Sequence, residues 1–234
     1  MQGRGPISLL LILILIIIVI SNTMNIETRN FDKDAASWDE NPARVKLAQD
    51  VAHAISNQIV LTPRMRVMDF GCGTGLLTLQ MQPLVNAITA VDSSKGMLDM
   101  LRAKLAKLKL TNVSATLIDP DNYNTMAGCY DLVVSNMTLH HIREIKPLMA
   151  QFHKITASAG HLCITDLDLD EGQFHHDNTG VFHFGFSRPA LRRTFAEAGF
   201  EDIQDTKAAE VVKPAKNGEM WRFIVFLMTG HKTK

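Results

Sequence analysis

The stretch Val67–Gly75, VMDFGCGTG, constrains the chain most. Val67, Met68, Asp69 and Phe70 suit a short buried strand, and three glycines at alternate positions follow it. Gly71, Gly73 and Gly75 let a backbone turn sharply and let a ligand come close. In an open parallel sheet, a turn of this kind after the first strand is a ligand position. Asp92 ends the next apolar run, 17 residues after Gly75. A carboxylate there can accept hydrogen bonds from both hydroxyls of a ribose. A dinucleotide fold also carries an acid at that place, but its fingerprint is G-x-G-x-x-G. Here the spacing is G-x-G-x-G with Asp69 just before it, which disfavours a pyrophosphate cradle. A P-loop is excluded, because no Lys-Ser/Thr pair follows the glycines.

Elements alternate along the rest of the chain. Asn41-Pro42 reads as an N-cap and first helical residue, with Val45, Ala48, Ala52, Ile55 and Ile59 at helical spacing. Helices are expected over Leu76–Gln82, Lys95–Lys107, Leu148–Ile155 and from Ser187-Arg188-Pro189 to Ala198. Strands are expected at Val67–Phe70, Ala87–Val91, Val113–Ile118, Tyr130–Ser135 and His161–Thr165. Two more fall near Ile203–Val212 and Trp221–Met228, joined by a hairpin through Lys213-Pro214 and Asn217-Gly218. The fold class is α/β. It is a Rossmann-like, seven-stranded, mostly parallel sheet with helices on both faces and a C-terminal antiparallel strand. With 234 residues, 46% apolar and 21% charged, the chain has enough material for one sizeable core.

One segment departs from this pattern. Ile7–Ile20 is a run of fourteen uncharged residues, all apolar but Ser8. As a helix it spans about 21 Å, short of the roughly 30 Å hydrocarbon core. Residues 1–23 read as a dispensable extension ahead of Met24, a short membrane anchor or a cleaved signal. Residues 24–234 read as one domain. Cys72, Cys129 and Cys163 are few, odd in number and far apart, so no disulfide framework or zinc pair is expected. Reduced thiols suit a cytoplasmic protein, with membrane anchoring through residues 7–20 as the alternative. Lys+Arg and Asp+Glu both number 24, which argues against a nucleic-acid partner held by a broad basic surface.

Val67–Gly75 together with Asp92 closely resembles the class I S-adenosylmethionine-dependent methyltransferases, and the small-molecule type among them. Tyr130–Met137, YDLVVSNM, is similar to that family's fourth strand and exit loop. Gly185–Phe200 is similar to its late helix. The resemblance covers about residues 30 to 229 and implies S-adenosylmethionine as cofactor. It places Asp69, Gly71, Cys72, Gly73 and Gly75 in the glycine turn under the methionine and ribose. It puts Asp92 on the ribose hydroxyls, with Ser93 and Met97 near ribose and adenine. Asp119 matches the acid that reaches the adenine amino group. The following position, which often gives an N–H to the adenine, is Pro120, which has none, and Asp121 is the shifted alternative. Ser135, Asn136 and Met137 would face the methionine end and the transferred methyl.

Five of nine histidines fall in two clusters, His140-His141 and His175, His176 and His183. Both follow strands whose C-terminal ends border the crevice of such sheets. These imidazoles can take a proton from a substrate near neutral pH, or hold a metal with Asp166 or Asp168. The plainer reading is a helix cap and a wet loop. None of them has the helix-borne H-E-x-x-H form, and no metal is assigned. Asp166, Asp168 and Asp170 alternate, which puts them on one side of an extended segment. The resemblance also implies that Phe31 and Trp38 fold over the pocket from the N-terminal side, with core packing as the plainer alternative. Methyl transfer from a sulfonium is a direct displacement that needs alignment and dryness more than a catalytic triad. A base serves only a protonated acceptor, and His141 is the first candidate, with His176 and Asp166 behind. The expected acceptor is a small molecule offering O, N or S to a monomer or homodimer. Protein or RNA methylation, a non-catalytic S-adenosylmethionine-binding protein and a nicotinamide reductase are the alternatives.

Overall fold

The computed structural model describes residues 29–119 and 122–233. The apolar run Ile7–Ile20, Met24, Pro120 and Asp121 lie outside them. Among the described residues no helix is long and apolar enough to cross a membrane.

Helix α1 (Pro42–Gln58) starts where the sequence marks it: Asn41 Oδ1 accepts from Ala43 N at 3.0 Å, and Pro42 occupies the first turn. Then follow β1 (Arg66–Phe70), α2 (Leu76–Met81), β2 (Ala87–Asp92), α3 (Lys95–Leu108) and β3 (Val113–Leu117). The second half holds β4 (Tyr130–Asn136), α4 (Ile145–Ile155), β5 (Thr156–Leu167), α5 (Arg188–Ala198), β6 (Glu201–Pro214) and β7 (Met220–His231). All seven strands form one sheet in the order β3-β2-β1-β4-β5-β7-β6. The pairs among β1 to β5 are parallel, and β7 is antiparallel to both β5 and β6.

Both faces of the sheet are covered, so the central strands are apolar at nearly every position. Alternation sends Val67, Leu132 and Val134 to one face, against Val51 and Ile55 of α1 and Leu77 and Met81 of α2. It sends Met68, Phe70 and Val133 to the other, against Leu148, Met149 and Phe152 of α4 and Leu191 and Phe195 of α5. Phe152 and Phe195 are fully buried, and truncating either to alanine would cost about 3–5 kcal/mol.

Two elements start well away from their expected positions, and one expected cap is not made. Helix α4 begins at Ile145, three residues early, and includes Pro147. Proline is tolerated there because first-turn N–H groups have no partner within the helix. Strand β5 begins at Thr156 rather than His161, with a register shift opposite Tyr130/Leu132. Its first residues, TASAG, are small or polar and carry no apolar period. Ser187 sits at the N-cap of α5, but its side chain makes no capping bond.

The sheet order sets where a ligand sits. From β1 the chain runs outward to β2 and β3, then returns to place β4 on the other side of β1. Such a reversal leaves a crevice beyond the strand ends. The glycine turn follows β1 and the His140-His141 pair follows β4, so the topology brings the two sequence clusters to one crevice.

Candidate active site

The β1 side is built from short-range contacts. Gly71 N and Cys72 N donate to the Val91 carbonyl at 2.8 and 3.1 Å, tying the turn to β2. Gly71 has φ +71°, and a Cβ there would lie 2.2 Å from Thr138 Oγ1, so glycine is required by both torsion and space. Gly73 has φ +54°, yet a Cβ there would meet nothing nearer than Met97 Sδ at 4.0 Å. Its face is therefore open for a ligand to approach. Asp92 accepts from Gly73 N at 2.7 Å and from Ser94 N at 2.8 Å, and burial raises its carboxyl above the usual range. A carboxylate has about four acceptor sites, so it can still take ligand hydroxyls.

Asp69 is buried one layer down. It accepts from Thr78 Oγ1 of α2 at 2.5 Å, and burial raises its carboxyl to about 7. Cys72 is buried, its thiol pushed well up by burial. Gly75 caps α2 in the left-handed region, Met97 is buried on α3, and Ser93 adjoins Asp92. Asp119 is exposed just past β3, where Ile118 N donates to Asp92 O at 3.0 Å.

A segment at the N-terminal side covers this turn. Asp32 Oδ1 accepts from Ser94 Oγ at 2.5 Å and from Gly96 N at 2.7 Å. Asp39 accepts from Thr74 Oγ1 at 2.5 Å and pairs with Lys104. Phe31 packs edge-on to Trp38 at 6.0 Å and to His141 at 5.0 Å. The aromatic cover is where the sequence places it. Its acids Asp32 and Asp39 carry no signal in the sequence, since a polar acidic run has no fixed partner until folded.

The β4 side is built from distant segments. At the strand exit Asn136 Oδ1 accepts from Thr165 Oγ1 at 2.8 Å, and Ser135 Oγ is buried without a protein partner. Met137 takes φ +53°, a strained conformation for a side chain of this kind and one found often at active sites. His140 Nδ1 lies 2.7 Å from Asp166 Oδ1, while His140 N donates to Asp166 Oδ2 at 3.2 Å. His140 Nε2 is 3.2 Å from His175 Nε2. His141 Nδ1 donates to the Gly180 carbonyl at 2.7 Å. Burial, with His140 next, pushes His141 and His175 down to about 3. The loop 172–185 folds back on this turn, with Phe182 N and His183 N donating to His140 O at 2.9 and 3.2 Å.

His176 is exposed and outside this group, and His183 Nε2 lies 2.9 Å from Ile142 O. The three alternating aspartates do not converge. Asp166 is buried under His140. Asp168 takes a two-pronged bond from Arg188, both arms 2.7 Å. Asp170 accepts from Gly172 N and Phe174 N at 3.2 and 2.8 Å. Among the phenylalanines in and just after the loop, Phe186 is core, Phe184 is exposed, and Phe174 packs on His175 at 4.9 Å. The His140–His175 pairing escaped the sequence because 35 residues separate them.

Comparison with known proteins fits this geometry. The family described as a methyltransferase domain matches residues 42–205. An uncharacterized methyltransferase of Schizosaccharomyces pombe is 26% identical over 155 residues, 60% of this chain and 55% of that protein. A malonyl-[acyl-carrier protein] O-methyltransferase of Priestia megaterium is 31% identical over 140 residues, 57% of this chain and 48% of that protein. The chain thus spans about half the length of the curated relatives it matches. The solved phosphoethanolamine N-methyltransferase 2 of Haemonchus contortus, in complex with S-adenosyl-L-methionine, superposes at TM-score 0.63. It is 16% identical, and the match covers 80% of this chain and 52% of that one. With a seven-stranded sheet of this order, a glycine turn on its switch point and a family match over most of its length, the chain belongs to the class I, Rossmann-fold, S-adenosylmethionine-dependent methyltransferases.

Proposed function

We propose that the chain moves a methyl group from S-adenosylmethionine to an oxygen, nitrogen or sulfur of a small molecule, by direct displacement. The observation that carries this is the pairing of Asp92 with Gly73 N at the open glycine face, opposite the histidine turn in the same crevice. The residues fit the cofactor. Gly73 leaves space for close approach, Asp92 keeps acceptor capacity for ribose hydroxyls, and Ser135 Oγ is a buried polar atom in want of a partner.

S-adenosylmethionine supplies an electrophilic methyl and its own leaving group. The protein's part is to bind, orient and keep the reactants dry. Asp92 would hold the ribose, with Ser93 and Met97 beside it and Asp119 toward the adenine. Gly71, Cys72, Gly73 and Gly75 would shape the floor, which Asp69 braces from below through Thr78. Ser135 and Asn136 would flank the methionine end. Phe31 and Trp38 cover the site against water. Fixing acceptor and methyl in line supplies much of the rate, since orientation can be worth about 7–11 kcal/mol.

His141 is the candidate proton acceptor. It stays neutral at physiological pH, but its low basicity suits an acceptor that already ionises easily. Asp166 is a positioning residue that acts through His140, and His176 would meet only an acceptor that reaches the loop surface. The O- and N-methyltransferase names of the relative and the solved protein support an O or N acceptor.

Calorimetry on the full chain tests this reading, with S-adenosylmethionine, its demethylated product and NADH titrated in parallel. Micromolar binding of the first two, followed by acceptor-dependent release of demethylated product from a panel of small alcohols, acids, amines and thiols, is expected. NADH binding alone would replace the reading with a reductase. Cofactor binding with product formed only on protein or RNA would move the acceptor to a macromolecule, and none formed at all would leave a binding protein.

A further inference from the structure

The three imidazoles of His140, His141 and His175 stand closer together than a proton-transfer role requires. One ligand atom from each lies within 4.8 Å of the others. Their ring centroids are 4.2, 5.0 and 5.7 Å apart. We propose that His140, His141 and His175 form a binding site for one divalent transition-metal ion of the zinc type, set in the crevice beside the glycine turn.

Hydrogen bonding fixes which ring nitrogens are available. A carbonyl cannot donate, so His141 Nδ1 carries the proton in its 2.7 Å bond to Gly180 O, and Nε2 holds the lone pair. His140 Nδ1 is 2.7 Å from the Asp166 carboxylate, which leaves His140 Nε2 as its ligand atom. A carboxylate or a carbonyl behind a histidine is the arrangement that orients metal ligands and raises their basicity. Asp166 is itself locked, because Leu167 N donates to it at 2.8 Å and His140 N at 3.2 Å.

The spacing of His140 and His175 fits a tetrahedral ion. Two nitrogens each about 2.0–2.1 Å from a tetrahedral zinc stand about 3.3–3.4 Å from one another. His140 Nε2 and His175 Nε2 are 3.2 Å apart. A simple N–H···N bond also spans that distance, but it gives no reason for a third imidazole anchored by its own backbone acceptor. Phe31 and Phe174 wall the group at 5.0 Å from His141 and 4.9 Å from His175, so the setting is partly apolar. Three neutral imidazoles without a thiolate suit zinc, copper, iron or nickel better than magnesium or calcium. Three protein ligands also leave a coordination position open. On the methyl-transfer reading above, that position would take the acceptor's heteroatom, and the ion would then act in place of His141, whose Nε2 is no longer free to accept a proton.

The test uses the full chain, stripped with a chelator and titrated with cobalt(II) and then zinc(II). The expected result is a single bound cobalt per chain with the intense visible absorption of a four- or five-coordinate ion, displaced by zinc. His175→Ala and His141→Ala should each abolish that spectrum while circular dichroism stays native. His175→Cys should keep the ion and add thiolate-to-cobalt absorption. His161→Ala combined with His231→Ala, which removes a second histidine pair 4.9 Å apart at the sheet end, should change nothing. A spectrum like that of cobalt in water, or one unaltered by His175→Ala, would overturn the proposal. S-adenosylmethionine binding to the stripped protein is measured separately, so failure of the metal site and failure of the methyl-transfer reading give different results.

Discussion

The two walls of the crevice are made differently. On the β1 side the glycine turn's bonds with the end of β2 join residues near in sequence or on adjacent strands: Gly73 to Asp92, Ser94 to Asp92, Gly71 to Val91. On the β4 side His140 meets Asp166, His175 comes from a long loop, and His141 leans on Gly180. The first wall holds backbone amides and one carboxylate, which suits a single fixed ligand. The second is made of imidazoles and loop carbonyls, which change more readily with the molecule to be methylated. A scaffold can keep the first and alter the second, which is how one fold serves many acceptors.

The largest effect should come from the β1 wall. Asp92→Ala removes the acceptor for Gly73 N and Ser94 N and the proposed ribose anchor together. Hydrogen bonds to a charged group are worth about 1.5–3 kcal/mol each, so S-adenosylmethionine affinity should fall roughly 100-fold. Calorimetry reads this directly. A change below about threefold would mean that the wall does not hold the cofactor through Asp92.

The matching change on the other wall is Asp166→Asn. The buried carboxylate accepts from His140 N, His140 Nδ1 and Leu167 N. An amide offers one oxygen and turns an NH2 toward a donor, so stability should fall by about 2–3 kcal/mol in urea unfolding. Its effect on S-adenosylmethionine affinity should be small. If cofactor affinity falls as far as in Asp92→Ala, the two walls are one unit and the contrast between them fails.

Legibility in the sequence follows the same divide. The glycine turn, Asp92 and the order of strands were readable because each depends on local torsions or on apolar period. The sheet's central members β1, β2 and β4 fall within a residue or so of their expected ends, since their alternation fills both faces. The first residues of β5 were not readable, because TASAG is small or polar, carries no apolar period and sits at a register shift of the sheet. Asp166, Asp168 and Asp170 look alike in sequence, yet one orients a histidine, one binds Arg188 and one closes a loop. Only tertiary contacts separate them. Asp32 and Asp39 likewise acquire their roles from α3 and the glycine turn, which lie far along the chain.

Asp69 gives a pH test of how dry the base of the β1 wall is. Its carboxyl is raised from 3.8 to about 7, with burial the first cause and the Thr78 hydroxyl opposing it. Between those values the folded chain holds a proton that the unfolded chain has lost. Stability from this group is therefore full below the unfolded value and declines as pH rises toward the folded one. Asp69→Asn keeps an oxygen for Thr78 and does not titrate. Wild-type stability relative to this variant should drop by about 1 kcal/mol per pH unit between about pH 5 and about pH 7. A difference that is flat with pH would show Asp69 ionised throughout, and hence water at the base of the turn.

The smallest effect is expected where the cover meets the β1 wall. Asp32 is exposed, and its bonds to Ser94 Oγ and Gly96 N hold its carboxyl below the usual range. Exposed charges gain little from such contacts, because solvent screens them. Asp32→Ala should therefore lower S-adenosylmethionine affinity only a few-fold, mainly through faster dissociation as the cover loosens. Asp32→Asn keeps the accepting oxygen and should restore most of the loss. Stopped-flow displacement separates the two rates. A slower association with unchanged dissociation would contradict a covering role. A loss as deep as that of Asp92→Ala would make Asp32 part of cofactor recognition, and the β1 wall would then extend across a gap of more than sixty residues, as far-reaching in sequence as the histidine wall it faces.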